Sequence, residues 1–313
     1  MRSYVTRRVL WLVLVLLGVS VLTFALGAIA PGDPAQLILQ RDLGHPPTEE
    51  QVERKRQQLG LDRPLPVQYV SWLGDTLRGD LGQSWATDRR VGDAIVRRLP
   101  ASLMLGGTAI VLAVLIAVPV GVLSAYRRNA PVDHVSRVGA LFTASFPSYF
   151  LAYVLIFAFA VRLKLVPAFG FGTVGHLLLP AVTLATGISA ILVRLTRAAM
   201  LDVMGEGYIR LGRSKGLGAP RVLFIHALRN ALIPVLTATT LSLAAVLNGA
   251  VIVEWIFAWP GLGKLTIESI RAKDYPLIQG VVLFNGVLYV VVNFFTDIAY
   301  GWLDPRVRVE ETG

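Results

Sequence analysis

The sequence predicts an all-α membrane protein with six transmembrane helices, and three observations support this fold class. Hydrophobic residues make up 54% of the 313 residues and charged residues only 16%. The mean hydropathy of +0.61 is too high for an ordinary soluble domain. Six apolar runs alternate with more polar segments, and positive charge is distributed between those segments in the uneven way that membrane topology requires.

The six apolar runs define the predicted helices. A helix needs about 20 residues to cross a bilayer, and in hydrocarbon its backbone must satisfy its own hydrogen bonds. The alternating segments of about 10 residues that are typical of membrane β-barrels do not occur in the sequence. The fourth run is the shortest and stops at Arg194. The runs cover residues 9–31, 101–126, 138–161, 177–193, 231–253 and 276–296.

The first run has a second interpretation. Arg7 and Arg8 precede it, and the small residues Ala28 and Ala30 near its end resemble a signal-peptidase site. A signal peptide has an apolar region of about 7–15 residues, and this run is much longer. The sequence therefore predicts a retained transmembrane helix.

The charges predict that both termini lie in the cytoplasm. With this orientation, the cytoplasmic segments carry 15 Lys and Arg residues and the short external loops carry 5, which agrees with the positive-inside rule. The external segment 31–100 holds 10 basic and 10 acidic residues. The net charge of +10 therefore lies in the loops and indicates membrane topology and contact with lipid, not a nucleic-acid partner.

Residues 31–100 form the one sizeable external insert. Thr48 and Gln51 have the spacing of a capping box and predict a helix that ends at Gly60. An amphipathic stretch at 67–78 predicts a second helix, with Gly79 as its stop. The insert is either a structural cap on the outer ends of the helices or part of a docking surface for a solute receptor, and the first is favoured.

Several kinds of site are excluded by the sequence. There is no cysteine, which excludes disulfides, thiolate metal sites and cysteine nucleophiles. The glycines at 170, 172 and 175 match a dinucleotide-binding pattern but lack its strand and helix context, and the sequence at 261–264 lacks the hydroxyl residue of a P-loop. The four histidines fall on opposite sides of the predicted membrane, so a bis-histidine haem site is not expected. We expect no cofactor, no metal site and no catalytic residues.

A basic segment between the fourth and fifth runs is the strongest functional signal. Its sequence is Y-I-R-L-G-R-S-K-G-L at 208–217, followed by R-V-L-F-I-H-A-L-R-N-A-L-I-P at 221–234. An amphipathic helix here can fit a groove on a soluble partner, with apolar anchors, basic steering groups and a glycine turn. The alternative is a positively charged loop on the membrane surface, and the residues alone favour neither. The anchors are Tyr208, Ile209, Leu211 and Leu217, the basic groups are Arg210, Arg213 and Lys215, and the turn is at Gly216.

This segment resembles the cytoplasmic coupling loop of ATP-binding-cassette importer permeases, most closely the B subunits of oligopeptide and dipeptide permeases. In that branch the loop reads R-T-A-R-A-K-G-L and is followed by H-A-L-R-N-A-L-I-P; here Leu211, Gly212 and Ser214 replace Thr, Ala and Ala. The resemblance continues in order along nearly the whole chain. The matching strings are L-G-V-S at 17–20, P-G-D-P at 31–34, L-G-L-D-R-P-L-P-V-Q-Y at 59–69, G-D-L-G at 79–82, E-W-I-F-A-W-P-G-L-G-K at 254–264, D-Y-P at 274–276 and L-D-P-R at 303–306.

The resemblance implies a six-helix type I importer permease in the cell membrane. It implies a non-catalytic subunit that pairs with a second homologous permease, two ATPases that hydrolyse ATP, and an extracellular solute-binding protein. The solutes that the resemblance implies are dipeptides, oligopeptides or related molecules such as glutathione, a nickel complex or haem, and the sequence does not choose between them. The chain is then divided into a first helix with its cytoplasmic stub at 1–30, the insert at 31–100, and a permease core at 101–313 with its coupling loop at 201–230. A secondary transporter and a non-transporting membrane anchor are the alternatives.

Polar residues within the predicted helices are candidates for the translocation path, because such residues are costly in a membrane. Arg194 has an alternative role as a side chain that extends to the interface, and Asp297 as a structural partner. In the family that the chain resembles, the path lies between two permease subunits, so no complete site is expected in one chain. The candidates are Arg194, Asn248, Asn285, Asn293 and Asp297.

Overall fold

A computed structural model describes residues 2–29 and 32–303, and these residues fold into helices. Within this part of the chain, the only β-type pairing is an isolated bridge between Gln83 and Arg90. The α-helices are α1 (Arg2–Ile29), α2 (Pro34–Leu43), α3 (Glu49–Gln58), α4 (Leu65–Leu77), α5 (Val91–Tyr126), α6 (Pro131–Ser145), α7 (Ser148–Leu155), α8 (Val174–Gly205), α9 (Gly207–Ser214), α10 (Ala219–Arg221), α11 (Leu228–Gly249), α12 (Val251–Ile256), α13 (Leu262–Arg271) and α14 (Tyr275–Leu303). Two π-helical segments, π1 (Ile156–Arg162) and π2 (Val222–Ala227), follow α7 and α10.

The described helices confirm the predicted all-α transmembrane fold class. By length and composition, five of them can cross a membrane, and the count is six if the bent pair made of α6 and the helix after it is one broken span and not a re-entrant loop. The five apolar segments are Thr6–Ile29, Val91–Tyr126, Val174–Gly205, Val222–Ser242 and Tyr275–Phe294.

The third predicted span is not a straight helix. The sequence predicts one helix over 138–161, but the chain bends by 101° between Pro131–Ser145 and Ser148–Arg162. Pro147 is the cause, because proline lacks a backbone N–H and disfavours helical geometry in the residue before it. Phe146 is extended, with φ −83° and ψ 127°. The bend brings three aromatic rings together, with 4.6 Å between the centroids of Phe142 and Phe146 and 5.5 Å between those of Phe146 and Phe150.

Two other helices differ in length from the predicted runs. The run at 177–193 is the centre of α8, which continues beyond Arg194 to Gly205. The run at 231–253 lies in α11 and α12, but the apolar helical segment already begins at Val222. The last part of the predicted loop 201–230 is therefore helical and apolar.

The chain forms two compact units, which are described separately. The first unit consists of Ala101–Lys264 and the described residues of Met1–Tyr4 and Val292–Gly313. The second unit consists of the described residues of Val5–Pro100 and of Leu265–Val291. The domain boundaries predicted at residues 30 and 100 stay predictions.

Small residues form the centre of the first unit. Ala109, Ala113 and Ala117 follow one another at helical spacing on α5 and are buried against α8 and α11. Without large side chains between them, membrane helices can approach closely. One close approach is at Gly121, where an added Cβ would lie 2.6 Å from Cβ of Thr196 and 2.9 Å from the carbonyl oxygen of Val193.

A buried carboxylate holds the segment after α11 together. Glu254 accepts hydrogen bonds from Oγ of Ser102 at 2.6 Å and from the backbone N–H of Lys264 at 3.0 Å. The Ser102 hydroxyl also accepts the N–H of Leu262 at 2.8 Å. Gly261 lies so close to Glu254 that a Cβ has no room there. This packing explains the glycines at 261 and 263, which only superficially resemble a P-loop.

The second unit contains the insert. The predicted capping box is confirmed, since the Thr48 and Gln51 side chains cap each other's backbone N–H at the start of α3. The insert packs on α1: the Tyr69 hydroxyl lies 2.8 Å from the Ser20 hydroxyl, and the Tyr69 ring is 5.5 Å from that of Phe24. These contacts support the structural-cap interpretation.

We predict that Gly121→Ala destabilises the protein, because the new methyl group overlaps the α8 backbone. Overpacking of this kind costs about 1–3 kcal/mol, and thermal unfolding in detergent measures it as a lower melting temperature. Gly107→Ala is the matched control on the same helix, since nothing lies within 4 Å of its added Cβ. Equal melting temperatures for the two variants would contradict the close approach at Gly121.

Candidate functional site

The basic segment after α8 folds into a separate short helix. Glu206 leaves helical geometry, with φ −67° and ψ 148°, and its carbonyl oxygen then accepts the N–H groups of Ile209 at 3.2 Å and Arg210 at 3.3 Å. The backbone thus ends one helix and starts α9 within two residues. We call residues 207–217 the coupling segment, after the role that the sequence predicts for them.

Ile209 fixes the coupling segment to the body of the first unit. Its side chain is only 1% exposed and lies in an apolar cluster with residues of α5, α8, π2 and α11. Burial of such a side chain stabilises by about 1.5–3 kcal/mol. The other buried members of the cluster are Val122, Ala125, Ala199, Met200, Val222, Ala227 and Ala231.

The opposite face of α9 is open. Tyr208 is 45% and Leu211 57% exposed, and Arg210 and Lys215 are exposed beside them. Neither basic side chain forms an ion pair with any residue that the structure describes. The Tyr208 hydroxyl is held at 2.7 Å by the side-chain amide of Asn230. The result is an ordered surface with two apolar groups and unpaired positive charge.

Gly216 makes the turn that ends this surface. Its φ is +78°, in the left-handed region that side chains with a Cβ adopt only at a cost. The turn lets the N–H of Leu217 bond to the carbonyl oxygen of Gly212 at 3.2 Å. Leu217 then packs against the apolar cluster behind α9.

The structure separates the predicted anchor residues into two groups. Tyr208 and Leu211 are available to a partner. Ile209 and Leu217 were predicted to contact a partner as well, but they face the chain's own core, because the helix positions one of its faces toward α5 and α8. They position the surface without forming it. The side chain of Arg213 lies outside the described part of the structure.

The translocation-path candidates fall in both units of the chain. Arg194 is exposed on α8, and Asn293 is half-buried on α14. Asn285 is in the second unit, and its Oδ1 is buried without a hydrogen-bond partner among the described residues. Because an unsatisfied polar atom within a span is costly, Asn285 is the most informative of these positions. The side chains of Asn248 and Asp297 fall outside the described residues.

One cluster was not found by sequence reasoning. Asp133 is 0% exposed and accepts hydrogen bonds from both Nε and Nη2 of Arg197, at 2.6 and 2.8 Å. It also accepts from Oγ of Ser124 at 2.7 Å and from the N–H of Asn129 at 3.0 Å. From the sequence, Arg197 is one of the 15 basic residues of the cytoplasmic segments, and Asp133 has no predicted role. The available signal was an acidic residue two positions after a proline, close to the end of an apolar run.

Comparison with known proteins gives matches over both ends of the chain. The family model for the binding-protein-dependent transport system inner membrane component matches residues 117–309. The model for the N-terminal part of such membrane components matches residues 1–106.

Individual relatives align over almost the full length. The oligopeptide transport system permease protein AppB of Bacillus subtilis is 39% identical, with 98% of this chain and 100% of the relative covered. The glutathione transport system permease protein GsiC of Escherichia coli K12 is 38% identical, with 98% and 99% covered. An inward-facing structure of the MetNI methionine ABC transporter matches the fold with a TM-score of 0.58 at 20% identity, over 67% of this chain and 96% of that chain.

We predict that Ile209→Ala loosens the coupling segment. Loss of a buried Ile side chain costs about 2–5 kcal/mol, so the melting temperature falls and residues 207–217 are cut faster by a protease. Leu211→Ala, which removes an exposed side chain from the same helix, is the control and leaves both properties unchanged. Similar protease sensitivity in the two variants would contradict the inward orientation of Ile209.

Proposed function

Because this chain belongs to the family of binding-protein-dependent transport system inner membrane components, and is a permease subunit of an ATP-binding-cassette importer, we propose that residues 208–217 are where a separate ATPase docks. The observation that carries this proposal is the orientation of α9. Ile209 anchors the helix in the core, while Tyr208, Arg210, Leu211 and Lys215 face outward.

This arrangement suits the transfer of movement between proteins. Exposed Tyr and Arg side chains are among the residue types that supply most binding energy at interfaces, and basic groups steer an acidic partner. A partner that moves α9 also moves the core, because Ile209 and Leu217 connect the two. A loop that only lay on the membrane surface would not require this anchoring.

We further propose a peptide or peptide-like solute, including glutathione. The names of AppB and GsiC state such solutes for those proteins. The proposed complex contains a second homologous permease, two ATPases that hydrolyse ATP, and an extracellular solute-binding protein, with both termini of this chain in the cytoplasm. Arg194, Asn285 and Asn293 are proposed to line the path together with the second permease, as are Asn248 and Asp297 outside the described part. A self-sufficient secondary transporter, the alternative, has no use for an exposed docking helix.

The test of docking is a charge reversal on the open face. We expect Arg210→Glu combined with Lys215→Glu to reduce recovery of the ATPases with the affinity-purified chain about tenfold or more, since like charges at an interface cost several kcal/mol. Mass spectrometry of the purified complex, compared with wild type, measures this recovery.

The matched control is Arg137→Glu, which reverses a charge on the exposed surface of α6 without touching α9. It leaves ATPase recovery unchanged. Full ATPase recovery with the double variant would contradict the proposed docking surface. Recovery of wild type without any ATPase would contradict the proposed complex itself.

A further inference from the structure

We propose that Asp133 and Arg197 are a positioning pair that makes α5, α6 and α8 respond as one body when the coupling segment moves. This inference rests on the proposed function, because it concerns what happens to the movement after an ATPase has acted on α9. Among the described residues, the further polar partners of the pair are Ser124 and the N–H of Asn129, which belong neither to the proposed docking surface nor to the translocation-path candidates.

Asp133 and Arg197 form a bidentate ion pair. Arg197 contacts both carboxylate oxygens of Asp133 through two nitrogens, Nε and Nη2. Bidentate pairs of this kind fix orientation as well as distance. Because Ser124 and Asn129 also donate to the carboxylate, one buried group joins the end of α5, the turn before α6, α6 itself and α8.

The Asp133–Arg197 pair lies next to the apolar cluster that holds the coupling segment. Met200 follows Arg197 on α8 by about one helical turn and is fully buried in the cluster that contains Ile209. Val122 and Ala125 of α5, on either side of Ser124 in sequence, are members of the same cluster. A displacement of Ile209 therefore acts on α5 and α8 directly, one turn away from the ion pair.

A second contact limits relative motion of α5 and α8 at the same level. Gly121 and Thr196 are in close contact without room for a methyl group, and Thr196 is the neighbour of Arg197. α6, which leads into the bend at Pro147, packs on α5 and α8 through apolar contacts that include Ala140. Asp133 adds a directional contact, since its carboxylate joins α6 to Arg197 of α8 through two charge-assisted hydrogen bonds.

A purely structural role predicts something different. If the pair only stabilised the fold, its loss would lower the amount of active complex and reduce ATP hydrolysis and solute uptake in proportion. If it transmits movement, its loss lets α6 lag behind α8. ATP hydrolysis then continues with less uptake, so the number of solute molecules imported per ATP falls.

The test uses the complete complex purified from its membrane and reconstituted into lipid vesicles, with glutathione and trialanine as probes. For Asp133→Asn we expect ATP hydrolysis near the wild-type rate and a ratio of uptake to hydrolysis lower by about twofold to thirtyfold, the range over which connecting residues modulate coupling. Arg197→Lys keeps the positive charge but loses the paired N–H donors of the guanidinium. We expect it to lower the ratio of uptake to ATP hydrolysis as well. If the complex with Asp133→Asn does not assemble, the result for Arg197→Lys decides between the positioning role and a purely structural role.

Asp33→Asn is the matched control, because it removes another Asp–Arg pair, with Arg56 at 2.6 Å, in the second unit. We expect the complex with Asp33→Asn to have the same ratio of uptake to ATP hydrolysis as wild type. An unchanged ratio in Asp133→Asn or Arg197→Lys, or a parallel loss of both activities, would overturn the positioning role. A wild-type complex that imports neither probe at the expense of ATP would instead count against the proposed function.

Discussion

The structure depends on the requirement that polar groups among apolar helices be satisfied inside the chain. A buried carboxylate without partners would be expensive, and the three buried acids described here each collect several donors. Glu254 binds Ser102 and the N–H of Lys264, and Asp133 binds Arg197, Ser124 and the N–H of Asn129. Asp274 accepts from the Ser84 hydroxyl at 2.5 Å and from two backbone N–H groups of the same loop. Each acid thereby joins segments that are distant in sequence or direction.

The sequence predicts the positions of the helices, but it does not predict the partners of the buried polar groups. Helix positions follow from local patterns, so the apolar runs, the Thr48–Gln51 capping box and the turn at Gly216 could be predicted. Partners of buried polar groups depend on tertiary contacts across many residues. Asp133 and Arg197 are 64 residues apart, and no local pattern connects them.

In the candidate site, too, some features could be predicted from local sequence and others depend on tertiary contacts. Sequence composition identified a basic, amphipathic segment at 208–217, but it assigned all four apolar residues to a partner. The helical repeat of 3.6 residues places neighbouring residues on different faces, and only the positions of α5 and α8 decide which face turns inward. For this reason Ile209 is in the core while Tyr208 and Leu211 are exposed. The bend at Pro147 was missed for a different reason: proline is tolerated in membrane helices, so its presence alone does not predict a break.

A subunit that performs no chemistry of its own can contribute to transport only by converting one movement into another. Conversion needs stiff parts that carry displacement and a compliant part that accommodates it. In the first unit, the stiff parts are the small-residue contacts of α5 with α8 and the Asp133–Arg197 pair. The two π-helical segments are placed differently, π1 after α7, beyond the bend at Pro147, and π2 after α10, which separates it from the coupling segment. Wide helical turns of this type are rare and are frequently found at functional sites. Displacement of α9 would then be absorbed at π2 on the side of α11 and carried by α5, α6 and α8 on the other side, so that the two sides of the first unit move by different amounts.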